Sequence, residues 1–418
     1  MIDAQMLAKE HIHSPSAQPT LLRNKQFICL LLAYTFSIFG NSFHNIALNL
    51  WILTETGSAK MMTVVLVTNL VVGSLFGSIA GTIVDRLNRR MIMLACDLLR
   101  CLFVFTIAIC IALPDTPFVL IVMLTAIVTL LGLFQSPALN ASLINIVGKE
   151  HIQRATGLMN VSDNISRTVG FVVGGVFVAA FGGFWAIVID SFTFLLSIIL
   201  VFLAGHFPSP KIDRLNTNFK QDLINGFKYV WTNPFAKSVT ILSPTLLLFF
   251  MSSLMLTQVL AVKVWQANAF EFGLIEACIP LGYMLGAGII VGLGSKLRRR
   301  GLLVMLSLLL MGPAYVFLSY TSTAEIAIPV ILLIGFLFSF STLLVSIILR
   351  LEVSEAIQGR VFGIMGSLNS VVPSLGLIIA SFFADQFGAD SVMWCTGVFL
   401  AIFACFFSWR LKEIRNYH

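Results

Sequence analysis

The sequence predicts an all-α polytopic membrane protein of twelve transmembrane helices, built as two six-helix bundles that repeat one another. Three observations carry this reading: an apolar composition, twelve runs of spanning length, and positive charge gathered on one side. Of 418 residues, 58% are hydrophobic and only 11% charged, and the mean hydropathy is +0.95. A water-soluble domain of this size needs far more charge to cover its exterior. A hydrocarbon core roughly 30 Å thick takes about 20 residues of helix per crossing.

Runs of that length lie at 27–50, 61–83, 91–113, 117–139, 155–180 and 184–207, then at 237–261, 270–294, 302–321, 324–349, 360–383 and 391–409. An even number of crossings leaves both termini on one side. On that side, in the tails and the loops after even-numbered spans, fall 22 of the 26 Lys and Arg residues. Lys60 and Lys263 fall on the other side, and Arg100 and Arg167 within spans. Basic loops are retained in the cytoplasm, so both termini are expected there and the chain in the cytoplasmic membrane. The net charge of +7 is then a topology signal rather than a nucleic-acid footprint. The seven cysteines all lie in apolar runs without metal-ligand spacing and read as small buried hydrophobes. No metal site and no cofactor are expected. No catalytic constellation and no phosphate-binding Gly-rich Lys-Ser/Thr loop is present, so the chain is not expected to be an enzyme.

The organisation follows from the same map. Residues 1–20 are polar, lack the basic-then-apolar pattern of a signal peptide, and read as a disordered cytoplasmic tail. An N-terminal bundle occupies 21–207, a cytoplasmic linker 208–236, a C-terminal bundle 237–409, and a second tail 410–418. Within the linker Phe219, Leu223, Ile224, Phe227, Val230 and Trp231 recur at helical spacing, as in an amphipathic helix lying along a membrane surface. The two bundles repeat with a constant offset of 206, which pairs Arg154 with Arg360, Gly170 with Gly376 and Gly182 with Gly388. Asp163 and Asn369 become counterparts in spans 5 and 11.

The turn between spans 2 and 3 reads Gly81-Thr-Ile-Val-Asp85-Arg86-Leu-Asn88-Arg89-Arg90. It resembles the signature Gly-x-x-x-Asp-Arg-x-Gly-Arg-Arg/Lys of the major facilitator superfamily, with Asn88 where that family usually has glycine. Leu53-Thr-Glu-Thr-Gly-Ser-Ala59, Ser136-Pro-Ala-Leu-Asn-Ala141, Gly359-Arg-Val-Phe362 and Phe382-Phe-Ala-Asp385 are similar to the macrolide-efflux branch of its drug:proton antiporters. The resemblance covers roughly 21–415 and implies the facilitator fold, with alternating access as one half rocks against the other. It also implies a cytoplasmic gate at Gly81, Asp85, Arg86, Arg89 and Arg90. Gly170-Phe171-Val-Val-Gly174-Gly175 resembles the antiporter signature Gly-Pro-x-x-Gly-Gly, with Phe171 in place of proline, and makes these glycines a candidate hinge in span 5. Ordinary close packing of small residues is the alternative. Many antiporters carry a coupling arginine in span 4; in register with Ser136-Pro137, Val128 stands there.

Six ionisable groups lie within spans: Asp97, Arg100, Asp163, Arg167, Asp190 and Glu276. Each costs on the order of 2.5–3.5 kcal/mol at a helix centre, so each should face protein or water. Asp97 and Arg100 stand three apart, Asp163 and Arg167 four apart, which sets each pair on one helix face. Asp97 and Arg100 are read either as part of the gate or as a static pair that lets the charges be tolerated. Spans 5 and 8 line the interface between halves in the family, so Asp163, Arg167 and Glu276 are candidates for proton coupling or for contact with a polar substrate group. Structural pairing is the alternative. Asp190 is read as an acid at the start of span 6, favoured by a helix N-terminus. In span 1, Asn41, His44, Asn45 and Asn49 form a polar stripe that either touches substrate or makes interhelical hydrogen bonds, and His44 is able to titrate near neutral pH.

The function implied is secondary export of an amphipathic small molecule, driven by protons, by a monomer in the lipid bilayer. Uptake or export of a siderophore, nutrient or lipid-like solute by the same fold is the alternative. A non-transporting sensor needs an effector domain that the longest polar interruption, 208–236, is too short to hold.

Overall fold

The computed structural model describes residues 21–84, 87–205, 228–294, 299–353 and 355–410. Twelve helices are long and apolar enough to cross a membrane. They are α1 (Lys25–Thr56), α2 (Ala59–Val84), α3 (Arg89–Ala112), α4 (Phe118–Gly148), α5 (Glu150–Phe181) and α6 (Gly183–Leu203) in the first half. The second half holds α7 (Pro234–Lys263), α8 (Ala269–Leu293), α9 (Arg300–Ser319), α10 (Ala324–Glu352), α11 (Glu355–Phe387) and α12 (Ala389–Arg410). Each coincides with one apolar run, and the chain is a multi-pass membrane protein. Asp85 and Arg86 lie outside the described residues, as do 1–20, 411–418 and most of the linker. Only 228–232, the end of the expected amphipathic helix, is described, and it is helical.

Several helices outrun the apolar stretches because asparagines cap them beyond the hydrocarbon. Asn24 accepts from the backbone N–H groups of Gln26 and Phe27 (3.0 and 3.3 Å), which starts α1. Asn88 accepts from Arg90 and Met91 (3.1 and 3.3 Å) and starts α3. The residue that departs from the family's glycine is therefore an N-cap, worth about 0.5–2 kcal/mol. Asn233 caps α7, and Asn268 with Glu271 forms a capping box on α8. Chain reversals fall on glycines with positive φ: Gly148 (73°) joins α4 to α5, while Gly182 (84°) and Gly388 (88°) end α5 and α11 at equivalent points of the repeat.

Alternation of twelve crossings defines two ends of the molecule. The basic end is where α1 begins and α2 turns into α3; the opposite end is where α1 passes into α2. Within the first half, α1 packs on α5 and α6, α3 on α4 and α6, and α2 on α4. In the second half, α7 packs on α11, α8 on α10, and α9 on α10 and α12. Gly170 and its repeat counterpart Gly376 do the same work in each half. A Cβ at Gly170 would stand 2.8 Å from the Ser42 Cβ of α1, and one at Gly376 2.8 Å from the Ser252 Oγ of α7. The halves meet along two seams, α5 with α8 and α2 with α11.

Candidate functional site

The seams are tight at the opposite end. Gly175 of α5 and Gly273 of α8 press together so closely that a Cβ on Gly175 would stand 2.7 Å from the Ala269 carbonyl oxygen and 3.0 Å from the Gly273 Cα. Of the three glycines in the candidate hinge, Gly170 and Gly174 pack against α1 inside their own half, and only Gly175 reaches the other half. The second seam is polar. Asp385, near the end of α11, accepts from the Ser58 hydroxyl (2.8 Å) and from the backbone N–H groups of Ala59 (2.8 Å) and Lys60 (3.2 Å). An acid of one half thus caps a helix of the other, and the Lys60 ammonium lies 4.9 Å from the centre of the Phe382 ring. The two segments 53–59 and 382–385, noted separately in the sequence, are partners here.

At the basic end the same four helices are uncovered. Gly73, Gly77 and Gly81 of α2, Gly157 of α5, Gly288 and Gly292 of α8, and Gly366 of α11 would each accept a Cβ with no described atom within 4 Å. Among the described residues, none of the other half closes on these positions at this end. Arg89 and Arg90 do not join the halves: Arg89 donates to the Ala141 carbonyl (2.9 Å) and Arg90 to the Phe202 carbonyl (2.9 Å), both within the first half. Asp85 and Arg86, the remaining charged members of the expected gate, lie outside the described residues.

Two polar clusters lie on equivalent helices of the repeat, α1 with α5 and α7 with α11. In the first half Asp163 accepts from Tyr34 of α1 (2.9 Å) and from Arg167 one turn along α5 (2.9 Å), and the hydroxyls of Thr35 and Ser162 meet at 2.5 Å. The ion pair is half-exposed, Asp163 at 21% and Arg167 at 42%. An exposed i,i+4 pair contributes only about 0.3–0.5 kcal/mol, too little to account for two charges in a membrane-spanning helix, so the pair requires water or further polar groups beside it. In the second half Asn369, the counterpart of Asp163, likewise accepts from the first helix of its half, from Ser243 of α7 (3.2 Å), without charge. Asn369, Ser243, Tyr283, Ser341, Thr342 and Ser346 line a cavity of about 400 Å³. These hydroxyls escape a reading that looks first for charge, although the polar cluster at 341–346 interrupts an otherwise apolar run.

The remaining intramembrane charges are buried in the bundles. Glu276 of α8 accepts from Gln258 of α7 (2.8 Å) within the second half. Asp97 and Arg100, considered above for a gate, are not in direct contact with each other and do not reach the second half. Gln135 of α4 bridges them, donating to Asp97 (2.6 Å) and accepting from Arg100 (2.7 Å). Ser197 of α6 also donates to Asp97 (2.7 Å), and the Arg100 guanidinium lies 4.2 Å from the centre of the Phe194 ring. The reason is depth: Asp97 lies two turns inside α3 and turns toward α4 and α6.

Asp190 requires a correction. Helix α6 starts at Gly183, so Asp190 lies about 10 Å along it, too deep to cap the helix. It is 1% exposed and stands 3.3 Å from the Nδ1 of His44. The span-1 stripe accordingly divides. Asn41 accepts from Arg100 (3.4 Å) and His44 turns to α6, while Asn45 is exposed. No group of three or more His, Cys, Asp or Glu with metal-binding geometry occurs among the described residues.

Comparison with known proteins agrees with this architecture. Macrolide efflux protein A of Streptococcus pyogenes is 21% identical over 383 residues, covering 91% of this chain and 94% of that protein. Enterobactin exporter EntS of Shigella boydii is 25% identical over 247 residues, covering 57% of this chain and 56% of the exporter. Among solved structures, a bacterial homolog to the human lysosomal transporter Spinster, in an inward-facing and unoccupied conformation, superimposes with a TM-score of 0.74 at 13% identity, covering 94% of this chain and 97% of that one. The sequence pattern of the Major Facilitator Superfamily matches residues 30–353 and 266–416. With twelve spans, two repeated halves and these matches, the chain belongs to the Major Facilitator Superfamily and is a membrane transporter, not an enzyme.

Proposed function

We propose that the protein exports an amphipathic small molecule across the cytoplasmic membrane by alternating access, with inward proton flow as the driving force and both termini in the cytoplasm. The observation that carries this reading is the basic end, where the described residues of the two halves do not close on each other, with the half-exposed Asp163–Arg167 pair in one half and hydroxyls and Asn369 in the other. A solute with an apolar body and one polar or charged group suits walls of that kind: aliphatic and aromatic surface with a few convergent polar groups. The concentration of Lys and Arg at the basic end supports a cytoplasmic position for it. Each proton entering contributes about 2.3 kcal/mol per 100 mV. The likeness to a macrolide exporter supports the direction and the substrate class.

A second reading, export of a siderophore or another hydroxyl-rich metabolite, is favoured by the serines, threonine and tyrosine of the second-half wall and by the likeness to an enterobactin exporter. The test compares strains lacking and carrying the gene for susceptibility to macrolides and for siderophore release, followed by transport in proteoliposomes under an imposed pH gradient. Export that is indifferent to the gradient removes proton coupling. Unchanged susceptibility with altered siderophore release selects the second reading.

A further inference from the structure

We infer that Arg167 anchors a carboxylate of the transported molecule, so that the substrate is an amphipathic acid. The inference rests on the export reading and narrows its substrate class. Arg167 stands midway along the apolar run 155–180, about 18 Å from its start, and the side it faces follows from the helix. Ile165, Val169 and Val176 are 47%, 46% and 49% exposed and mark the lipid side of α5. At about 100° per residue, Arg167 lies across the helix from that stripe. It falls between Gly170, which packs on α1, and Gly175, which packs on α8. Its 42% side-chain exposure is therefore turned inward, toward the water that a charge at this depth requires.

Most of the polar groups around Arg167 are already spent. Asp163 has accepted on both oxygens, Oδ1 from the Tyr34 hydroxyl and Oδ2 from Arg167 Nε, each at 2.9 Å. Tyr34 has no second proton to give. Thr35 donates to the Leu31 carbonyl (2.6 Å), so in its contact with Ser162 the proton comes from Ser162. Arg167 differs: it has used one of its five N–H groups, and neither Nη nitrogen has an acceptor among the described residues. The unspent capacity of the cluster is therefore a planar, positively charged row of donors. A carboxylate matches such a fork with two parallel hydrogen bonds, which a hydroxyl or an amide oxygen cannot do. An amine on the substrate meets only Asp163, the less accessible partner, at 21% exposure against 42%. Asp163 holds the guanidinium by its Nε side and Tyr34 holds Asp163, so both are positioning residues for the Nη edge. The matching cluster of the second half, Ser243 with Asn369, carries no charge. The ionic contact with substrate is thus made by one half.

The test measures binding to the full chain in lipid nanodiscs, with empty nanodiscs subtracted. Its probes share a dansyl body and an octyl chain, and end in a carboxylate, a primary amide or a primary amine. The wild type should bind the carboxylate at least about tenfold more tightly than the amide, and the amine no better than the amide. Arg167→Lys keeps the charge without the fork and should lower the carboxylate-to-amide ratio several-fold. Arg167→Gln combined with Asp163→Asn leaves a neutral pair, which keeps the test sound if Arg167→Gln alone does not fold, and should bring the ratio to about one. Tyr34→Phe removes only the hydroxyl that holds Asp163 and should lower the ratio about twofold to tenfold, with amide binding unchanged. A wild-type ratio near one, tightest binding of the amine, or a ratio unmoved in the double variant would each overturn the inference. A carboxylate preference that depends on Arg167, beside uptake rather than export in proteoliposomes, would leave the site standing and remove the export reading. Export without that preference would do the reverse.

Discussion

Removing the carboxylate of Asp385 should loosen the end at which the two halves meet. Asp385 accepts three hydrogen bonds at the start of α2, at 2.8, 2.8 and 3.2 Å, and all three cross from one half to the other. They exist only while that end is closed, so their loss acts on the balance between conformations. An N-cap acceptor contributes about 0.5–2 kcal/mol. A negative charge at a helix N-terminus adds about 0.3–1 kcal/mol, reduced here by exposure to water. Asp385→Ala should therefore shift the balance by about 1–2 kcal/mol, a factor of roughly 5–30. Asp385→Asn keeps an acceptor oxygen and loses only the charge, a shift of about twofold to fivefold. Distances between labels at positions 55 and 386, which flank the contact, measure the open fraction directly. The reasoning fails if alanine leaves the distribution unchanged, or if asparagine shifts it more than alanine does.

Three further outcomes are expected. Gly175→Val puts side-chain atoms where the Ala269 carbonyl stands 2.7 Å from a built Cβ; overpacking of that kind costs about 1–3 kcal/mol, so the opposite end should open in the same label assay and transport should fall at unchanged membrane abundance. Asp163→Asn and Glu276→Gln should each lower export about tenfold or more, roughly 1.4 kcal/mol, without lowering abundance, and full activity in both would remove them from coupling. Asn88→Ala should lower thermal stability in detergent by the equivalent of about 1 kcal/mol through loss of the α3 cap, while Asn88→Gly costs only a few tenths; equal losses in the two variants would show that the cap is not the cause.

Much of the architecture is written in single residues and their spacing. The apolar runs mark all twelve helices because each crossing must satisfy its backbone hydrogen bonds internally, whatever its neighbours. The offset of 206 found from Gly170, Gly182 and their counterparts recurs as matched contacts and matched positive φ angles. The site was less legible. Asp163 and Arg167 are joined as their spacing suggests, but Tyr34, 129 positions earlier, is invisible as their partner. Asp97 and Arg100 share a face yet are separated by Gln135, a neutral residue with no reason to be singled out in the sequence. Asp190 looked like a helix-start acid because its partner, His44, lies 146 positions away.

The amino-acid order alone settled how many times the chain crosses and where it folds back on itself, because hydrocarbon thickness and backbone hydrogen bonding act on each segment locally. Which buried acid meets which partner was decided only when the helices packed. So was the closure of one end by Asp385 and Gly175. Those contacts join residues of separate helices, and their energies depend on distances that no local pattern encodes.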